Sequence, residues 1–327
     1  MRSFTALLGA LVLLAGAGTA AAQTADKYPD KPIRIMAPYA PGGNIDVTAR
    51  IVADKLREVL GVAVIVENKA GASGMIGSEV VARAAPDGYT LMVSANSLVS
   101  VPVIYGNAPY EWHTAFTPIS HIQAVPAVVV VTPASPIKDL AEFIKIGRDT
   151  PGKLSVADSG VGTTNHLCIE LLSEATGAKY TLVHYKGSGA GVADVIAGQV
   201  PAQLDQINSA LGYIKGGKLR ALGVSSAKRL PELPDVPTMQ ESGVKGLEDF
   251  TFFTWTGLYG PAKLPPDVLA KLNAAMVKVL ADPAVIKRFA DLTAETRSST
   301  PQELAAMLAK EEATIVPLIK KLGIKPE

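Results

Sequence analysis

Two stretches of the chain share a layout suited to holding an anion. "IRIMAPYAPGGNID", from Ile33, and "KLSVADSGVGTTNH", from Lys153, each run from an apolar strand through a loop with two glycines into a helix. The first amides of a helix have no partner inside it and carry about half a unit of positive charge. Glycines such as Gly42, Gly43, Gly160 and Gly162 let an anion approach that backbone with no Cβ in the way. Two such corners facing each other would hold one small carboxylate without an arginine or lysine. Several charge-assisted hydrogen bonds of roughly 1.5–3 kcal/mol each reach the ~8 kcal/mol of micromolar binding. The plainer alternative makes both loops tight turns, with Asn44, Asp46, Thr163 and Thr164 as helix caps and Asp46 serving its helix dipole.

Other chemistries find little support. There is no G-x-x-x-x-G-K-[ST] phosphate loop, and "GSGAG" from Gly187 is a weak dinucleotide fingerprint. No G-x-S-x-G nucleophile elbow occurs. His113, His121, His166 and His184 lack metal-ligand spacing and have no cysteine cluster beside them. No metal or cofactor is implied. His166, in the first turn after the second loop, is either structural or a neighbour of the ligand.

The elements that must position these loops alternate. "KPIRIMAP" reads as a strand, and the helix after it places Ile45, Ala49, Val52, Leu56 and Val59 on one stripe closed by Gly61. "VAVIVEN", a helix from Met75 and "YTLMVSAN" complete a β-α-β-α-β unit, hence a mostly parallel sheet. Two strands between Ile119 and Val131 are expected, separated by Pro126, with a helix starting at Ser135-Pro136. A second alternating set follows, then "FTFFTWTGLYGP", a helix from Pro266 and a C-terminal helix opened by a Thr300–Glu303 capping box.

The expected division is a signal peptide at 1–22, a first lobe from 23–124 plus 225–327, and a second lobe from 125–224. The chain then crosses twice between lobes, which makes a hinge with a ligand cleft. The signal peptide is read from Arg2, the apolar run Phe4–Ala15 and Ala20-Ala21-Ala22 before Gln23. It predicts export to the periplasm. A net charge of +1 over 327 residues gives no field for nucleic acid, and the single Cys168 allows no internal disulfide. A monomer is expected.

"YPDKPIRIMAPYAPGGNIDVTARIVADKL", "VIVENKAGASGMIGSEVVARAAPDGYTL", "YKGSGAGVADVIAGQV" and "GKLRALGVSSAKRLPELPDVPTMQESG" resemble the Bug receptors, periplasmic solute receptors of tripartite tricarboxylate transporters. The resemblance runs from Tyr28 to about Leu322 and includes A-P-G-G-x-x-D, A-x-P-D-G-Y-T-L and P-T-x-x-E-x-G in that order. It implies a type II-like periplasmic-binding-protein fold: two mostly parallel α/β sheets joined by two hinge crossings. It implies capture of a small carboxylate and delivery to a membrane permease, without catalysis. By the same resemblance Tyr39, Ala40, Gly42, Gly43 and Asn44 hold the carboxylate, while Ser159, Gly162, Thr163 and Thr164 close from the other lobe. Ser94, Asn96 and Asp205 match cleft-lining positions, though Asp205 also reads as a structural cap or ion-pair partner.

The chain departs from the family pattern at Asp158, His184 and Val101. A carboxylate at Asp158 beside an anion site is costly unless it turns away or meets a cation, or unless the ligand itself carries a donor. Two other readings stay open at this point: a co-receptor for a periplasmic sensor, and an exported hydrolase using Ser94 or Ser159. Aliphatic di- and tricarboxylates, aromatic acids and acidic amino acids all remain candidate ligands.

Overall fold

A computed structural model describes residues 28–326, so the signal peptide expected at 1–22 lies outside the described residues. The first half is built from β1 (Ile33–Ala37), α1 (Asn44–Leu60), β2 (Val64–Asn68), α2 (Met75–Ala82) and β3 (Thr90–Ala95), followed by α3 (Ser97–Tyr105) and the short α4 (Trp112–Ala115). The predicted stripe of α1 is buried at Ile45, Ala49, Val52 and Leu56, and Gly61 ends the helix at φ 74°. β2 and β3 flank β1, both parallel to it. That places the loops after the strands along one edge of the sheet, where open α/β folds bind ligands.

β4 (Phe116–Val131) is one long strand, not the two that Pro126 suggested. From Phe116 to Pro126 it pairs with β9 (Phe253–Pro261), and from Ala127 onward with strands of the second half. The missing N–H of Pro126 falls where β4 changes partners, so it leaves the ladder intact.

The second half contains α5 (Leu140–Asp149), β5 (Ser155–Asp158), α6 (Thr164–Thr176), β6 (Thr181–His184), α7 (Ser188–Ile196), β7 (Ala202–Gln206), α8 (Ile207–Lys215) and β8 (Arg220–Val224). α5 begins later than Ser135-Pro136 predicts, because Asp139 caps it by accepting the Glu142 N–H at 2.8 Å. β6 and β7 flank β5 in parallel, repeating the arrangement of the first half. The two parallel trios are joined through antiparallel β9 and β4 in the order β2-β1-β3-β9-β4-β7-β5-β6. The sheet is therefore mixed and continuous through β4, the strand common to both halves. β8 and β10 (Glu295–Thr296) also pair with β4.

Within segment 225–252, placed with the first lobe by the sequence reading, residues 230–232 lie beside Leu280, Ile286 and Ala290 of the first half, while the later residues pack on the second half. Met239, Val244 and Leu247 join its core, and the Phe252 N–H reaches the Ser225 carbonyl. β9 then returns to the first half, followed by α9 (Pro266–Ala281), α10 (Pro283–Ala290), β10 and α11 (Pro301–Leu322). The Thr300–Glu303 capping box is complete. The largest apolar core covers one face of the sheet in both halves, from Ile35, Val52 and Met276 to Val192 and Leu211.

Candidate functional site

Helix N-termini from both halves meet at one small cavity. Its walls are Tyr39, Gly43, Asn44, Ile45, Ala95, Ser97, Ser159, Thr163, Thr164, Gly187, Ser188 and Gln206. These residues sit at the starts of α1, α3, α6, α7 and α8, so the dipoles of five helices point at the same space. α1, α3, α7 and α8 begin at Gly43, Asn96, Gly187 and Gln206 with no side-chain cap. Of the helices that begin elsewhere, α5, α10 and α11 are capped by Asp139, Asp282 and Thr300, while α2 and α9 have no side-chain cap. The amides of Gly43, Asn44 and Ile45 find no acceptor among the described residues. No lysine or arginine side chain lines the cavity. Its positive field is a property of the backbone.

The cavity encloses about 30 Å³, enough for about two water molecules. The halves are held together around it by direct bonds. The Ala40 N–H donates to the Lys186 carbonyl at 3.1 Å, and the Ser100 hydroxyl donates to the Gly162 carbonyl at 2.6 Å. Asn44 Oδ1 accepts from Asn208 Nδ2 at 2.6 Å and from Gln123 Nε2 at 2.9 Å. The Thr254 hydroxyl donates to Thr164 Oγ1 at 2.9 Å.

The two glycine loops differ in how their amides are used. In the first, the Gly42 N–H and Arg50 Nε donate to Asp46 Oδ2, while Asn68 Nδ2 donates to Asp46 Oδ1. Burial alone would raise the Asp46 carboxyl. Hydrogen bonds from Arg50, Gly42 and Asn68 outweigh it and hold the group below the usual carboxylate range. In the second, the Gly160 N–H donates to Asp158 Oδ1 at 2.7 Å and the Gly162 N–H to His166 Nδ1 at 2.8 Å. Thr163 caps α6 by accepting from the His166 N–H.

Tyr39, Gly43, Asn44, Ser159, Thr163 and Thr164, all expected from sequence, lie in the cavity wall. The other predicted residues stand behind it. Ala40 and Gly42 spend their amides on Lys186 and Asp46. Ala95 and Ser97 line the cavity, whereas Ser94 and Asn96 do not; Ser94 and Ala95 are successive residues of β3 and point to opposite sides, and Asn96 starts α3. Asn96 instead donates to Glu311 Oε1 at 2.8 Å. Gly162 packs against Val101 and Ile104, and His166 supports the loop from behind. Asp205 is fully buried beneath Asn165 and Gln206, accepting from Asn165 Nδ2 and the Gln206 N–H. Burial, opposed by these neighbours, pushes its carboxyl up to about 6.

Sequence reasoning missed Ile45, Ala95, Ser97, Gly187, Ser188 and Gln206. For Gly187 and Ser188 the signal was present, a strand followed by glycine and a helix start within "YKGSGAG". Tyr39 ties the wall together, its hydroxyl donating to the Ser73 carbonyl at 3.0 Å beside Ser97 Oγ. Burial keeps that phenol neutral, pushed up to about 12.

Asp158 does not face the cavity. It is fully buried and pairs with His184, whose Nδ1 lies 2.9 Å from Oδ1 and 2.8 Å from Oδ2. The two are register partners on β5 and β6. Two departures from the family pattern are therefore one compensated pair. Among the described residues no group of His, Cys, Asp and Glu is placed to hold a metal, and no helix is long and apolar enough to cross a membrane.

The model of the tripartite tricarboxylate transporter family receptor matches residues 48–324. Protein BugT of Bordetella pertussis (strain Tohama I) is 34% identical over 330 residues, covering 99% of this chain and 99% of its own. The structure of the periplasmic binding protein BugD superposes with a TM-score of 0.86 at 35% identity, covering 92% of this chain and 100% of BugD. MatC from Rhodopseudomonas palustris, solved with bound malate, gives a TM-score of 0.81 at 31% identity, covering 88% of this chain and 98% of that one. The chain belongs to the tripartite tricarboxylate transporter receptors of the Bug type, a family of solute-binding proteins rather than enzymes.

Proposed function

We propose that this receptor works in the periplasm, closes its two halves over a small carboxylate, and passes it to the membrane subunits of a tripartite transporter. One observation carries the reading: five helix starts, four of them uncapped, converge on a cavity with no cationic side chain in its wall. Such a site selects negative charge through geometry. The free amides of Gly43, Asn44 and Ile45 take one carboxylate. The hydroxyls of Ser97, Ser159, Thr164 and Ser188 and the amide of Gln206 are placed for the rest of the ligand. Malate in a relative with the same fold supports a ligand of that size and charge.

A cavity of about 30 Å³ is smaller than any dicarboxylate, so capture requires the halves to part first. The bonds from Ser100, Asn208 and Ala40 across the cleft are those that break and re-form. The ligand shifts this equilibrium by as much as it favours the closed state.

Thermal shift and calorimetry with malate, longer dicarboxylates, monocarboxylates and the neutral diamide of malate test the reading. A dicarboxylate at a hundredfold excess over its Kd adds about 2.7 kcal/mol of stability. The diamide adds none. Equal binding of acid and diamide, or no response to any carboxylate, defeats the proposal.

A further inference from the structure

The second glycine loop is held by two side chains, Asp158 and His166, which are linked through His184. Asp158 accepts the Gly160 N–H and His166 Nδ1 accepts the Gly162 N–H. A backbone N–H only donates, so Nδ1 carries the lone pair and the ring proton sits on Nε2, facing Glu170 Oε1 at 3.5 Å. The His166 ring meets the His184 ring edge-on, centroids 5.0 Å apart, and His184 is paired with Asp158. One unit, Asp158–His184–His166, thus fixes both loop amides.

This loop carries Ser159, Thr163 and Thr164 into the cavity and seals it against the other half. Its Gly162 carbonyl accepts from Ser100, and a Cβ on Gly162 would stand 2.8 Å from Ile104. We propose that Asp158, His184 and His166 are positioning residues that set the closed shape of this loop, and that the bond from Gly162 to His166 thereby sustains ligand capture. The proposal rests on the carboxylate-binding reading for its second half only.

Among the described residues the Gly162 N–H has one acceptor, His166 Nδ1. Glu170, on the same helix, faces the other ring nitrogen. From β5, Asp158 is already engaged by His184 and Gly160. From the other half, α3 presents Val101 and Ile104 to the loop, and Tyr105 at its end lies 3.3 Å from Ser73 Oγ, next to Gly160.

Amide hydrogen exchange of the ligand-free mature protein reads the first half directly. The Gly162 protection factor falls about tenfold in His166→Ala, which removes the acceptor. It is kept in His166→Asn, whose side-chain oxygen holds an acceptor near the place of Nδ1. Malate affinity follows the same pattern, weaker in His166→Ala and restored in His166→Asn. Gly162 protection unchanged in His166→Ala, or lost equally in both variants, overturns the proposal. Protection that follows this pattern in a protein binding no malate supports the loop assignment while removing the carboxylate reading.

Discussion

The loops at 38–43 and 159–163 look alike in sequence and behave oppositely in the fold. Both leave an apolar strand, use two glycines and enter a helix. The first ends on Gly43, which offers α1 no cap and leaves three consecutive amides at the cavity wall. The second spends more of its donors on itself: the Gly160, Gly162 and Thr163 N–H groups go to Asp158, His166 and the Gly160 carbonyl, and the Thr163 side chain caps α6. Glycine tells how close a ligand's charge can come to the backbone. Capping chemistry tells whether the backbone has anything left to offer it. On this contrast the proposed carboxylate is assigned to the first loop, and the second is proposed as the wall that closes over it.

The largest effect should come from preventing the wall and the first loop from meeting. Gly189 lies in the first turn of α7, and a Cβ there would stand 2.5 Å from the Pro41 carbonyl oxygen of the first loop. Alanine suits a helix better than glycine, so Gly189→Ala leaves the second half folded or slightly more stable. Closure, however, meets a backbone atom that has no room to yield. Overlaps of this kind cost about 3 kcal/mol, a loss of more than about a hundredfold in malate affinity. Calorimetry beside a thermal melt checks this; unchanged affinity means that the halves do not close in the geometry described.

Much of the scaffold was legible because hydrophobic period and glycine position are local. Both parallel trios and the buried stripe of α1 follow from them. What escaped depends on register or on distant partners. Pro126 suggested a break because the change of partner along β4 is not written near it. Ser94 and Asn96 were expected at the cleft where Ala95 and Ser97 line the cavity, because the point at which β3 ends and α3 begins is not readable from the sequence. Asp158 looked like an unpaired charge until the β5–β6 register set His184 beside it. The uncapped start of α7 was visible in "GSGAG", but only as a weak nucleotide motif.

The same contrast extends to one buried aspartate in each half. Asp46 is bound to Arg50 at 2.8 Å and held low, whereas Asp205 meets no cation among the described residues and burial pushes it up to about 6. Their pH dependences have opposite signs. The unfolded chain releases the Asp205 proton at about pH 4, while the native state keeps it until about 6. Stability tied to Asp205 therefore falls as pH rises through that window, by roughly 3 kcal/mol in all. Stability tied to Asp46 is instead lost as pH falls through its lowered value. Asp205→Asn keeps an acceptor for Asn165 and Gln206 and removes the charge. After the cost of burying the new amide, it should gain about 2 kcal/mol near pH 7.5. Urea unfolding at pH 4 and 7.5 decides this, and a variant less stable than the natural chain at the higher pH would mean that Asp205 is charged and needed.

The smallest change probes the cap that separates the two loops. Thr163 Oγ1 accepts the His166 N–H, donates to the Gly160 carbonyl at 2.7 Å and receives the Ser159 hydroxyl at 3.0 Å. Thr163→Ala removes all three and should cost about 1 kcal/mol of stability. Because the proposed carboxylate is assigned to the other loop, malate affinity should fall less than about threefold, a few tenths of a kcal/mol. A far larger loss of affinity at the same stability would move the primary contact to α6. The two loops would then share the charge, and Gly43 would lose its privileged place.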